Sequence, residues 1–277
     1  MLMRFYTEED VRSFHQIQFN YIQVFETEYT LKIVLNRTEK RNAFTPTMAT
    51  EIVYALAYAH YQDAVRCVVL AANGPVFCAG ADLNAFHDAS IDQRNEDLPH
   101  PRAEILLGDA FASLHKPCIA QVEGPVLAGG FLLICGCTFV LASEQATFSL
   151  PEVKRGIWPM QVMASLLSII PARKILEMSV TGRVYAAKEA LQMGLITQLV
   201  PTEEVQEEVN KLVVLICSNA PYAIKMGMQA FHNLSNVAES QQHHFLKNQL
   251  DLILQSEDAV EGTSAFKEKR APVWKGK

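Results

Sequence analysis

From Tyr21 onward, short runs of β-forming residues alternate with longer stretches of helical spacing. Two such runs, YIQVFET and TLKIVLN, flank Glu28 and Tyr29 and predict a hairpin over residues 21–35. Thr45-Pro46 then supplies an N-cap and a first-turn proline, opening a helix through about His60 with Met48, Ile52, Ala55 and Ala59 on one face. Residues 66–71 (RCVVLA) form a nearly continuous apolar run, the pattern of a strand buried on both faces, and end in the turn Asn73-Gly74-Pro75. The succession returns with a strand at 118–122 (CIAQV), the turn Gly124-Pro125, a helix from about Gly129, and strands at 138–142 (TFVLA) and 146–150. Repeated strand-turn-helix units predict an α/β body.

After Pro201 the pattern changes to helices at 205–217, 221–233, 237–255 and 259–270, with almost no strand candidates. Leu246, Leu250, Leu252 and Ile253 make one face apolar, so these helices need the body or a neighbouring subunit to cover them. We therefore divide the chain into an N-terminal extension (1–20), a body (21–200) and a C-terminal helical region (201–277). Residues 124–143 carry no charge and match the length of a membrane-spanning helix. Pro125, Gly129, Gly130, Gly136 and Thr138 interrupt them, which predicts an interior loop, helix and strand instead.

Composition narrows the function classes. A 277-residue chain can fill a core without metal or disulfide, and its formal net charge of -6 gives no general attraction to nucleic acid or to an anionic membrane. Six cysteines, mostly within apolar stretches, show no paired framework and point to a reducing, cytoplasmic setting. Cys135-Gly136-Cys137 lacks both the two-residue spacing and the histidine pair of common metal sites, so no metal is expected.

Two glycine-containing turns stand out: Phe77-Cys78-Ala79-Gly80-Ala81-Asp82-Leu83 and Gly124-Pro125-Val126-Leu127-Ala128-Gly129-Gly130. Each follows a predicted buried strand and leads into a helix, where small residues let a ligand reach the backbone and free amides favour negative charge. Taken singly, either turn is also accounted for by glycine's ease in tight turns. Glu152, after Pro151, reads on its own as a helix-starting carboxylate.

With Asn36-Arg37, Asn42-Ala43, Lys116-Pro117, Glu123-Gly124, Phe148-Ser149-Leu150-Pro151-Glu152, Thr181-Gly182-Arg183, Gly194-Leu195 and the tail through Ala265-Phe266 and Glu268-Lys269-Arg270, these turns resemble the crotonase (enoyl-CoA hydratase/isomerase) superfamily. The resemblance runs from about Tyr21 to the C-terminus. It implies a spiral of ββα units, a C-terminal helical region used in trimer formation, and a homotrimer or a hexamer made of two trimers. It further implies an acyl-CoA substrate with no permanently bound cofactor, an oxyanion hole from the amides of Ala81 and Gly129, and Glu152 as the catalytic carboxylate. Residues around the CoA thioester would include Lys40, Arg41, Ala79, Asp82, Leu83, Phe266 and Lys269, while Leu127, Phe131, Leu132, Trp158 and Met160 would line an acyl pocket.

The departures from the resemblance are informative. Classical hydratases carry a second glutamate where this chain has Leu132, and dienoyl-CoA isomerases carry an acid where it has Met160. A single glutamate suits proton shuttling between C2 and C4 of an enoyl thioester, so isomerisation is expected over hydration or dehydration. A catalytically weak acyl-CoA-binding or assembly subunit is a third reading.

Overall fold

A computed structural model describes residues 4–277. Among the described residues, nine strands and eleven α-helices follow one another as β1 (Ile22–Glu26), β2 (Thr30–Leu35), α1 (Pro46–Tyr61), β3 (Cys67–Ala72), α2 (Leu83–His87), α3 (Leu107–Ala110), β4 (Cys118–Val122), β5 (Val126–Leu127), α4 (Phe131–Cys135), β6 (Phe139–Ser143), β7 (Thr147–Ser149), α5 (Met160–Leu166), α6 (Ala172–Thr181), β8 (Tyr185–Ala186), α7 (Ala187–Met193), β9 (Gln198–Val200), α8 (Val205–Cys217), α9 (Pro221–Leu234), α10 (Gln242–Leu254) and α11 (Glu257–Glu268). Six strands form one sheet in the order β1-β2-β3-β4-β6-β9, and β5-β7-β8 form a second. Only the β1–β2 hairpin breaks the parallel run of the larger sheet. The α/β reading holds, and residues 124–143 form the expected short elements; no described helix is long and apolar enough to cross a membrane.

Thr45 caps α1 through its side-chain oxygen, which accepts from the Met48 amide at 3.1 Å, and Pro46 occupies the first turn. The helix differs from the one-faced expectation, because it is buried almost all round. The reason lies in the N-terminal segment: Phe5, Tyr6, Val11 and Phe14 are buried, with Phe14 stacked on Tyr58 at a centroid distance of 3.8 Å. That segment covers the face that would otherwise meet water. Its first three residues lie outside the described range.

The C-terminal helices divide between two surfaces. On α8, Val205, Val209, Ile216 and Cys217 join Cys67, Val69, Ile119, Leu141 and Val200 in a core on one side of the larger sheet. By contrast α9, α10 and α11 pack on one another and leave Phe231, Leu250, Leu254, Val260 and Phe266 exposed.

Candidate active site

An isolated parallel bridge between Cys78 and Val126 draws the glycine turns together, and a second, between Phe44 and Ala81, ties the first turn to the segment ahead of α1. The Leu127 amide donates to the Cys78 carbonyl at 2.9 Å, and the Phe77 and Cys78 amides donate to the Pro125 carbonyl at 3.1 and 3.3 Å. Because the two segments run parallel, and Ala81 and Gly129 each lie three residues beyond a bridge partner, both residues emerge at one place. A Cβ added to Gly80 would stand 3.0 Å from the Gly129 nitrogen, and one added to Gly129 would stand 3.3 Å from the Ala81 nitrogen. The turns meet backbone to backbone, and side chains larger than glycine would part them.

Hydrogen bonding orients the Ala81 amide, and backbone conformation orients that of Gly129. Phe44 donates to the Gly80 carbonyl at 2.8 Å and accepts from the Asp82 amide at 2.9 Å, so Ala81 turns its own NH away from Phe44. Ala128 adopts a left-handed φ of 49° just before Gly129, a costly conformation for a residue with a Cβ, and Gly129 lies in the first helical turn ahead of α4. Among the described residues, no acceptor receives the Ala81 or the Gly129 amide. Two preorganised free donors of this kind can stabilise charge that develops on a single oxygen.

Parallel pairing of β5 with β7 sets Leu127 opposite Ser149, so the segment leading to Gly129 and the one leading to Pro151-Glu152 leave the same end of the small sheet. Glu152 is 8% exposed, and its enclosed Oε2 receives no hydrogen bond from a described residue. Burial raises its carboxyl above the ordinary value, against the pull of its own amide and of the Arg155 charge. No second carboxylate shifts it. A carboxyl so placed is suited to taking and returning a proton closer to neutral pH.

Other expected site residues divide by environment. Leu132 is 4% exposed and faces α3, where its Cδ2 would lie 3.6 Å from a Cβ at Gly108. Phe131 is fully buried in the core, edge-to-face against Phe148. Met160 is 66% exposed and forms no apolar wall in the single chain, whereas Leu127 and Trp158 are half-buried and Leu83 is exposed. Lys40 and Arg41 are exposed, and the Arg41 carbonyl accepts from the Ala79 amide at 3.1 Å, tying their loop to the first turn. Phe266 and Lys269 are exposed at the end of α11, which packs on α9 and α10. The Asp82 carboxylate is taken by Arg37 at 2.9 Å. Local sequence pattern assigns no role to Phe44, Gly80 or Arg37, although Asn36-Arg37 and Gly80 lie within the distinctive motifs.

The geometry agrees with three comparisons. The profile of the enoyl-CoA hydratase/isomerase family matches residues 26–277. A mevalonyl-coenzyme A hydratase of Aspergillus fumigatus is 29% identical over 255 residues, 91% of this chain and 93% of that protein. A carnitinyl-CoA dehydratase of Salmonella typhi is 32% identical over 255 residues, covering 89% and 95% respectively. The crystal structure of an enoyl-CoA hydratase/isomerase from Mycobacterium paratuberculosis superposes with a TM-score of 0.82 at 28% identity, covering 94% of this chain and all of that one. With its parallel sheet, helical C-terminal region and near-complete match, this chain belongs to the enoyl-CoA hydratase/isomerase family.

Proposed function

We propose that the protein isomerises the double bond of an enoyl-CoA thioester, with Glu152 as the proton carrier and the amides of Ala81 and Gly129 as an oxyanion hole. The observation that carries this reading is Glu152 itself, a buried carboxyl of raised proton affinity with no second carboxylate acting on it. Glu152 takes a proton from C2 of a 3-enoyl thioester, and the electron pair spreads through C1 onto the thioester oxygen and, by conjugation with the C3–C4 double bond, onto C4. The two amides hold the resulting dienolate. Return of the same proton at C4 leaves the double bond between C2 and C3. Atoms balance without a cofactor or an added water, and CoA enters as part of the substrate.

Hydration or dehydration is the second reading, favoured by the names of the mevalonyl-coenzyme A hydratase and carnitinyl-CoA dehydratase relatives. It requires Glu152 to activate water without a partner carboxylate. Assaying 3-enoyl-CoA and 2-enoyl-CoA side by side separates the two. Bond migration outpacing hydration is expected, and rapid hydration with negligible migration refutes isomerisation. The exposed apolar residues of α9, α10 and α11 support assembly into trimers, which sedimentation can test.

A further inference from the structure

Arg37 and Asp82, 45 residues apart, form an ion pair of 2.9 Å with side chains only 4% and 13% exposed. The same Arg37 nitrogen, Nη1, also donates to the Ala43 carbonyl at 2.8 Å, and the guanidinium sits 5.5 Å from the centre of the Tyr21 ring. Ala43 precedes Phe44 and Asp82 follows Ala81, so this one nitrogen ties together both sides of the Phe44–Ala81 bridge. Asn42, fully buried, braces the base of the clamp: its Oδ1 accepts from the Arg37 amide at 2.9 Å, and its Nδ2 donates to the Asn73 and Val76 carbonyls at 2.8 Å each. Burial opposes ionisation of Asp82, but the Arg37 bond and charge, with the Ala85 and Asn84 amides, outweigh it and hold the carboxyl below its ordinary range.

Buried ion pairs contribute little net stability compared with apolar packing of the same volume, so direction is the better account of why charge is present here. A planar guanidinium offers donors in fixed directions, whereas an ammonium is a mobile point charge.

We propose that the Arg37–Asp82 pair is a positioning device that sets the direction of the Ala81 amide, fixing Ala81 from both sides of its bridge without touching substrate. This inference rests on the reading of Ala81 and Gly129 as an oxyanion hole. It predicts a loss concentrated in the reaction step, because a misaimed amide weakens transition-state binding more than ground-state binding.

The test measures the carbonyl stretching frequency of a saturated, carbonyl-labelled acyl-CoA bound to wild type, Arg37→Met, Arg37→Lys and Asp82→Asn, together with kcat, KM and Tm. In wild type the stretch moves to lower frequency on binding. Arg37→Met loses most of that shift and about 10- to 100-fold in kcat, with KM held within about threefold, and Arg37→Lys recovers part of both. Asp82→Asn keeps the side-chain shape and carries the test if Arg37→Met fails to fold. Variants that bind acyl-CoA with the full shift and an unchanged kcat overturn the proposal, as does a lower Tm accompanied by the full shift. Absence of any shift in wild type overturns the oxyanion reading itself, a result distinct from a wild-type shift that survives in the variants.

Discussion

Replacing Gly80 with alanine strikes the contact between the two turns without altering any group that meets substrate. The new Cβ would lie 2.8 Å from the Ala128 Cβ and 3.0 Å from the Gly129 nitrogen. Carbon atoms pack comfortably from about 3.5 Å, so the second turn must retreat by roughly 0.7 Å. Gly80 also sits at a φ of 95°, where a residue with a Cβ incurs about 1–2 kcal/mol of backbone strain. Neighbours on both sides are backbone or short side chains, so nothing flexible can absorb the shift. Oxyanion donors work within about 2.7–3.1 Å of the charged oxygen, and a retreat of this size takes Gly129 out of range. Loss of one such donor costs about 3 kcal/mol, or roughly 100-fold in kcat. The measurement is kcat at saturating enoyl-CoA, with thermal unfolding recorded in parallel. We expect a folded protein of lower Tm with kcat down by about two orders of magnitude. A kcat within about threefold of wild type would refute the claim that the two amides must be held in register.

Other outcomes follow from the same structure. Glu152→Gln should retain acyl-CoA binding by calorimetry while losing about 100- to 10,000-fold in turnover; unchanged turnover would favour the binding-subunit reading. Since burial raises the Glu152 carboxyl and the base must be ionised, kcat/KM should fall on the acid side at a pH above the ordinary glutamate value, and an acid limb at or below that value would count against the assignment. His115 is buried beside His60 and His232, at ring distances of 5.8 Å each, and burial followed by these neighbours lowers it from 6.5 to about 4. Between those values the unfolded chain binds a proton that the fold refuses, so stability drops as pH falls through this window, by about 3 kcal/mol at its acid end. Urea titrations at pH 7 and pH 5 should show the drop, and His115→Asn should reduce it. Lys116, 6% exposed, donates to the Ala59 and Gln62 carbonyls at 2.6 and 2.7 Å near the end of α1. Lys116→Met should cost about 2 kcal/mol by denaturant unfolding, because it leaves two carbonyls without their donor.

Local pattern alone determined much of this molecule. The β1–β2 hairpin, the Thr45-Pro46 start of α1, the buried strands and the bounds of α8 are all readable because side-chain period and capping chemistry act within a few residues. It was the resemblance to the family, and not local pattern, that marked Ala81, Gly129 and Glu152 as candidates. What the chain could not reveal locally was the approach of Ala81 to Gly129, which depends on the Cys78–Val126 bridge, and the register of β5 with β7 that sends the segment bearing Glu152 from the same sheet end as the one bearing Gly129. Nor could it reveal that residues 4–20 bury the outer face of α1, that Phe131 turns into the core, or that Asp82 faces Arg37. Backbone bridges, ring stacking and a buried ion pair join residues far apart in sequence, and their geometry exists only once the sheets have assembled.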